Sequence, residues 1–310
     1  MINTSGLTKY YESKPAVVGV NLYVGAGQIC GLIGPNGAGK TTLLKMVAGL
    51  LRPTSGRIEV GGIDIGCEPK QLHSMVGYVP DVFGLYDELS VKHFLEYFGS
   101  AHKVERSKLR KRINEVLELT RLTSKIDATV GSLSRGMRQR LVIAKTLLHA
   151  PQIVLLDEPA SGLDPLARIE LRELIRELGR LGTTLVVSSH ILNELADFCS
   201  SVVIMEHGHI LRSGSIDELV AESSTGTSVR VELTDEVRVT ELATTLSNND
   251  QVTDLSIKGA AIELKFAGSR QELAELHREI VLKNDGIVSF YERRQTIEDV
   301  FMALGSHEVS

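Results

Sequence analysis

The sequence has no tryptophan, only 5 % aromatic residues and three cysteines among 310 residues. Cys30, Cys67 and Cys199 are scattered, odd in number and without a C-x-x-C pair. They offer no disulfide framework, suit a reducing compartment and read as packing residues. No apolar run approaches the roughly 20 residues that a membrane-spanning helix needs. The opening stretch MINTSGLTKYYESK also lacks the apolar core of a secretory leader. The chain is therefore expected to be soluble, or to be held at a membrane by a partner. Internal repeats and low-complexity tracts are absent as well. Net positive charge is missing too, since the formal charge is -5. Residues 1–217 hold 25 Lys+Arg against 22 Asp+Glu, whereas 218–310 hold 9 against 17. That split argues against a general nucleic-acid binder.

What is present is enough apolar material, 43 % of residues, for more than one core. The length exceeds what one core usually serves, which points to two domains. Apolar runs followed by helical patterns recur: GQICGLIG then KTTLLKMVAGLL, PQIVLLDEP then PLARIELRELIRELGR, TTLVVSSH then ILNELADFC. Strands apolar on both faces, alternating with helices, predict an α/β unit with a mainly parallel sheet. Residues 85–150 are mostly helical in pattern and read as a helical insertion. The Ser, Thr and Gly residues at 223–228 mark a boundary. The reading is therefore a first domain over 1–217, a linker over 218–228 and a smaller α+β domain over 229–310. In the latter, SVRVEL places Val229, Val231 and Leu233 on one face, VTDLSIKG and AAIELKF form a hairpin, and Leu273, Leu276 and Ile280 share a helix face before a last strand, GIVSFYE. The order βαββαβ is that of a small ferredoxin-like module. A final helix, TIEDVFMALG, opens on a capping pair, Thr296 and Asp299.

The stretch GLIGPNGAGKTT sets Gly34, Pro35, Asn36, Gly37, Ala38, Gly39, Lys40, Thr41 and Thr42 between a strand and a helix. The spacing G-x-x-x-x-G-K-T is that of a phosphate loop. Glycines let backbone N–H groups close around an anion, Lys40 reaches the β- and γ-phosphates, and the Thr41 hydroxyl ligates Mg²⁺. QIVLLDEP ends a buried strand on Asp157 and Glu158. Beside a phosphate loop, Asp157 is placed to hold the Mg²⁺ water shell and Glu158 to polarise an attacking water. His190, which closes TTLVVSSH, taken on its own is more often a hydrogen-bonded structural residue than a catalytic one. Tyr10 and Tyr11 serve as packing aromatics or as a platform for an adenine ring.

In order and spacing, KYYES, GPNGAGKTT, YVPD, LSRGM, VLLDEP, SGLD and VVSSH resemble the ATP-binding-cassette ATPases over about residues 3–217. The resemblance implies an N-terminal antiparallel β part, a helical subdomain and a dimer that shares its nucleotides. It implies Tyr11 as the adenine-stacking aromatic, Glu158 as catalytic base and His190 as the γ-phosphate switch. Asp164 then lies in the loop that crosses the dimer interface, and Ser134 and Gly136 touch the γ-phosphate held by the opposite subunit. A serine and a glycine at a helix N-terminus suit that contact, because N–H groups and helix dipole favour anions there. Three positions depart from the family pattern. The signature has Arg135 for its first glycine and Met137 for its glutamine, and Asp81 stands in YVPD where glutamine is usual. A carboxylate at 81 either ligates Mg²⁺ or alters coupling. The ending FYERRQTIEDVFMAL resembles ATPase subunits of bacterial exporters that pair with a separate permease.

The expectation is an ATPase that uses ATP and Mg²⁺, pairs with a second such subunit and drives a transmembrane permease from the inner face of the cell membrane, docking through residues 85–100. Cargo is not encoded in such a subunit. Two other readings are a non-transport ATPase acting on ribosomes or DNA, and an ATP-binding regulator without turnover. The first lacks here the second cassette or long coiled-coil insert that most such relatives carry. The second is at odds with Glu158 and His190.

Overall fold

The runs that read as apolar on both faces are buried almost throughout: β4 (Ile29–Ile33), β8 (Ile153–Leu156) and β9 (Thr184–Ser189). The computed structural model describes residues 1–65, 69–82, 84–191, 195, 197–216, 218–219, 226–284 and 286–293. They fall into two units, Met1–Ile216 and Asp217–Ser310.

In the first unit β4, β8 and β9 join β7 (Val76–Val79), β10 (Ser201–Glu206) and β11 (His209–Ser215) in the order β11-β10-β4-β9-β8-β7. All neighbours are parallel except the β10–β11 hairpin. A second, antiparallel sheet runs β2-β1-β5-β6, built from β1 (Ile2–Tyr11), β2 (Lys14–Val20), β5 (Ser55–Val60) and β6 (Ile63–Asp64), with β3 (Tyr23–Val24) paired to β1. Leucine, isoleucine and valine from both sheets and from α1 (Lys40–Val47) form one core, in which Ile2, Leu43, Leu32 and Val60 are fully buried. Cys30 and Cys199 are buried free thiols, and burial pushes Cys30 up to about 11. A thiol so desolvated packs and does not react.

Helix α2 (Pro69–Met75) leads into β7, and helices α3 (Val91–Ala101), α4 (Arg106–Leu119) and α5 (Arg135–Leu147) fill the insertion. α6 (Pro165–Arg180) follows β8 with Asp164 as its N-cap and Pro165 in its first turn, and buries the stripe Ala167, Leu171, Leu174, Ile175 and Leu178. Among the described residues no helix is long and apolar enough to cross a membrane.

In the second unit β12 (Thr227–Leu233), β13 (Val252–Lys258), β14 (Ala261–Phe266) and β15 (Ile287–Glu292) form an antiparallel sheet in the order β13-β14-β12-β15. The interleaved helices Glu236–Ser247 and Arg270–Lys283 complete a ferredoxin-like βαββαβ module. Val229, Val231 and Leu233 lie in its core with Leu273, Leu276 and Ile280. β12 begins inside the 218–228 stretch read as a linker, because Thr227 and Ser228 already pair with Phe266 and Lys265. On the polar side of the sheet Glu263 receives Lys258 at 2.8 Å, Arg230 at 2.9 Å and Arg293 at 3.3 Å. The expected TIEDVFMALG helix and residues 192–194 and 196 of ILNELADFC lie outside the described residues.

Candidate functional site

Four neighbouring parallel strands end at the same edge of the sheet, and each delivers part of the site. β4 runs into Gly34, β9 into His190, β8 into Asp157 and Glu158, and β7, through Pro80, into Asp81. Ligand sites of parallel α/β sheets lie at this carboxyl edge. Register sets the fine alignment: Leu156 pairs with Val187, and Ile33 pairs with Ser189. The acids after β8 therefore lie beside the serines that end β9.

The 34–39 loop is held by close backbone approaches. A Cβ at Gly34 would lie 2.1 Å from the Met205 carbonyl oxygen, and one at Gly39, whose φ is +101°, would lie 2.3 Å from that of Ala16. Only glycine fits either place. Pro35, Asn36 and Gly37 are exposed, Ala38 is buried, and Thr41 faces solvent next to the half-buried Thr42. Lys40, 5 % exposed, turns back over the loop and donates to the carbonyls of Gly34 at 2.6 Å and Pro35 at 3.1 Å.

The acids hold different partners. Asp157, 1 % exposed, accepts from the Ser188 hydroxyl at 2.9 Å and the Tyr78 hydroxyl at 3.1 Å. Burial and then this carboxylate push the Tyr78 phenol far up, so it stays a donor. Ser188 also accepts from the Glu158 N–H at 2.8 Å. Glu158 has φ +45°, a left-handed backbone that costs a non-glycine residue about 1 kcal/mol or more. Its carboxylate sits between Lys40 Nζ at 3.1 Å and His190 Nδ1 at 2.8 Å. Asp81 is exposed, yet partial burial and the charges of Asp157 and Glu158 raise its pKa, with Arg135 and His190 opposing. Three carboxylates thus crowd one edge, where added positive charge is favourable.

Ser134 and Asp164 cap helices within their own chain. Ser134 accepts from the Met137 N–H at 3.3 Å, and Asp164 from the Ala167 N–H at 2.9 Å. Gly136 is buried against α6, where a Cβ would lie 2.7 Å from that of Ala167. Tyr11 is half-exposed at the end of β1, with Lys9 Nζ 5.5 Å above its ring.

The three arginines of SLSRGMRQR are engaged inside the chain. Arg135 donates to the Ser161 carbonyl at 2.9 Å. Arg138 pairs with Asp87 at 3.2 Å and donates to the Gly131 carbonyl. Arg140, 8 % exposed, pairs with Glu170 at 3.1 Å and donates to the Thr120 carbonyl. A free basic patch for nucleic acid is not what they form. Ser188 and Tyr78 carry no role in the sequence pattern although they lie inside VVSSH and YVPD, because only the sheet register aims them at Asp157.

Comparison with known proteins agrees with this architecture. The family described as "ABC transporter" matches residues 17–161. A Nod factor export ATP-binding protein I of Rhizobium sp. (strain N33) is 37 % identical over 221 residues, 71 % of this chain and 73 % of the relative. Its counterpart in Rhizobium meliloti (strain 1021) is 30 % identical over 308 residues, 99 % of this chain and 89 % of the relative. A solved dimeric ATP-binding cassette in a post-hydrolysis state, bound to ADP and phosphate, superposes with a TM-score of 0.62 at 27 % identity over 69 % of this chain and 98 % of that one. Similarity at this level extends over the whole unit that assembles the sheet edge, and the chain belongs to the ATP-binding-cassette ATPases of ABC transporters.

Proposed function

We propose that this ATPase energises a separate membrane permease, working as one of two subunits that close face to face on ATP and reopen on hydrolysis. The observation that carries the proposal is the convergence on Glu158, whose carboxylate meets the loop lysine at 3.1 Å and His190 at 2.8 Å. An acid so placed can accept a proton from an attacking water, while Lys40 and His190 face the γ-phosphate that the water attacks. Backbone N–H groups between Asn36 and Thr42 cradle the phosphates, and Tyr11 stacks on adenine. Ser134, Gly136 and Asp164 reach the nucleotide of the opposite subunit.

Thr41, Asp157 and Asp81 make an all-oxygen donor set, which fits Mg²⁺. Both Asp157 oxygens accept from hydroxyl groups, those of Ser188 and Tyr78. Among the described residues no group of three or more His, Cys, Asp and Glu could hold a metal alone. That agrees with an ion that keeps waters and borrows phosphate oxygens. When bound with ATP, Mg²⁺ neutralises the charge that develops on the phosphates.

The permease docks on the segment 85–100. Tyr86 and Tyr97 are 54 % and 56 % exposed there, their rings 5.9 Å apart, on a base formed by Phe94 and Phe98. Exposed aromatics grouped in this way mark a protein contact. Export is the direction that the names of the Rhizobium relatives favour. Held by the permease, the subunit works at the inner face of the cell membrane.

A mixing experiment tests the shared site. Lys40→Ala spoils the phosphate loop and Ser134→Arg spoils the contact in trans, so each mutant homodimer has two dead sites. A mixed dimer has one site that joins an intact Lys40 to an intact Ser134. In a Glu158→Gln background, each variant alone should stay monomeric with ATP, and the mixture should dimerise in analytical ultracentrifugation. Ser134→Arg protein that dimerises alone with ATP would refute the shared site.

A further inference from the structure

The loop from Glu158 to Asp164 bends around Arg135. Two backbone bonds fold it into consecutive turns, Ser161 N–H to Glu158 C=O at 3.1 Å and Leu163 N–H to Ala160 C=O at 3.2 Å. At its apex Gly162 has φ +65°, and a Cβ there would lie 2.6 Å from the guanidinium carbon of Arg135 and 2.7 and 2.9 Å from its two terminal nitrogens. The guanidinium thus lies flat against the glycine while Nη2 donates to the Ser161 carbonyl at 2.9 Å. A planar fork can do both at once, and a lysine cannot.

Arg135 is the first residue of α5, directly after its N-cap Ser134. The clamp therefore joins two parts with different proposed duties. Ser134 faces the nucleotide of the opposite subunit, and the loop carries Glu158, which serves the subunit's own nucleotide. We infer that Arg135 is a positioning residue that locks the start of α5 to the 158–164 loop, so that engagement of one site in trans sets the carboxylate of the other in cis. This rests on the roles proposed above for Ser134 and Glu158. It also gives a purpose to an arginine that stands where the family pattern has glycine, since a glycine at 135 has no side chain to reach Ser161.

A double-mutant cycle tests the lock in the full chain. Arg135→Gly removes the clamp. Gly162→Ala leaves the arginine in place but drives a methyl group into its seat, together with a backbone strain of its own that the cycle cancels. Each single variant should lower kcat for ATP hydrolysis about tenfold while KM changes less than twofold, because Lys40 and the phosphate loop are untouched. The double variant should be no slower than the slower single one, since one contact cannot be broken twice. Three results would overturn the inference: wild-type kcat in Arg135→Gly, losses that multiply in the double variant, or loss in Arg135→Gly with none in Gly162→Ala. The last would mean that the arginine's charge acts directly on a nucleotide. Glu158→Gln serves as the control for the underlying site. If it abolishes turnover while the cycle shows no coupling, the lock alone is wrong; if it turns over normally, the site itself is misassigned.

Discussion

Glu158→Gln is expected to lower ATP turnover by about 10²–10⁴-fold, the usual contribution of a general base, with nucleotide affinity little changed. The amide keeps the size of the acid and its backbone N–H keeps the bond to Ser188. Lys40 loses the ion pair but retains the carbonyls of Gly34 and Pro35, so the loop keeps its shape. What disappears is the ability to take a proton from water. Phosphate release measured beside equilibrium nucleotide binding separates the two quantities, and ATP should now hold the variant as a dimer that gel filtration resolves. Turnover within twofold of the unmodified chain would remove Glu158 from the mechanism.

Gly34→Ala is expected to damage both fold and binding. The added methyl would sit 2.1 Å from the Met205 carbonyl oxygen and 3.1 Å from the Ala38 Cβ. The first of these is backbone in β10, the strand paired with β4, so neither strand can yield without disturbing the sheet. Overpacking of this kind costs about 1–3 kcal/mol, and a displacement of about 1 Å in a loop that must hold phosphate can cost a further 10²-fold in activity. Gly37→Ala is the control. Its φ is +87°, but a Cβ there meets nothing within 4 Å, so only the backbone penalty of about 1 kcal/mol remains. Thermal melting and nucleotide titration of the two variants would show the contrast, and equal behaviour would mean that close approach at Gly34 does not shape the loop.

The phosphate loop and the paired acids were legible because each is a contiguous run whose spacing is its chemistry. The sheet was legible because parallel strands buried on both faces read as unbroken apolar runs. Other features depend on which strand lies beside which. Ser188 and Tyr78 reach Asp157 only because β9 and β7 flank β8. The arginines of the signature stretch were visible as charges, but their partners Ser161, Asp87 and Glu170 lie 26, 51 and 30 positions away, and no local pattern encodes such pairs. Asp81 and Arg135 were each seen as a departure from the family pattern. That both bear on the same acidic edge became visible only once the chain was folded. Ser134 and Asp164 carry a double meaning: an N-cap satisfies its own helix, and the same exposed position is available to a partner.

The left-handed backbone at Glu158 sets the interests of the fold against those of the enzyme. Glycine adopts that conformation freely, so Glu158→Gly should relieve about 1 kcal/mol of backbone strain while taking the ion pair from buried Lys40 and abolishing turnover. Unlike most positions, where backbone and chemistry ask for the same residue, here the backbone alone favours glycine and the chemistry an acid. A lineage that ceased to need ATP hydrolysis would be expected to drift here, toward a relaxed backbone and a silent site.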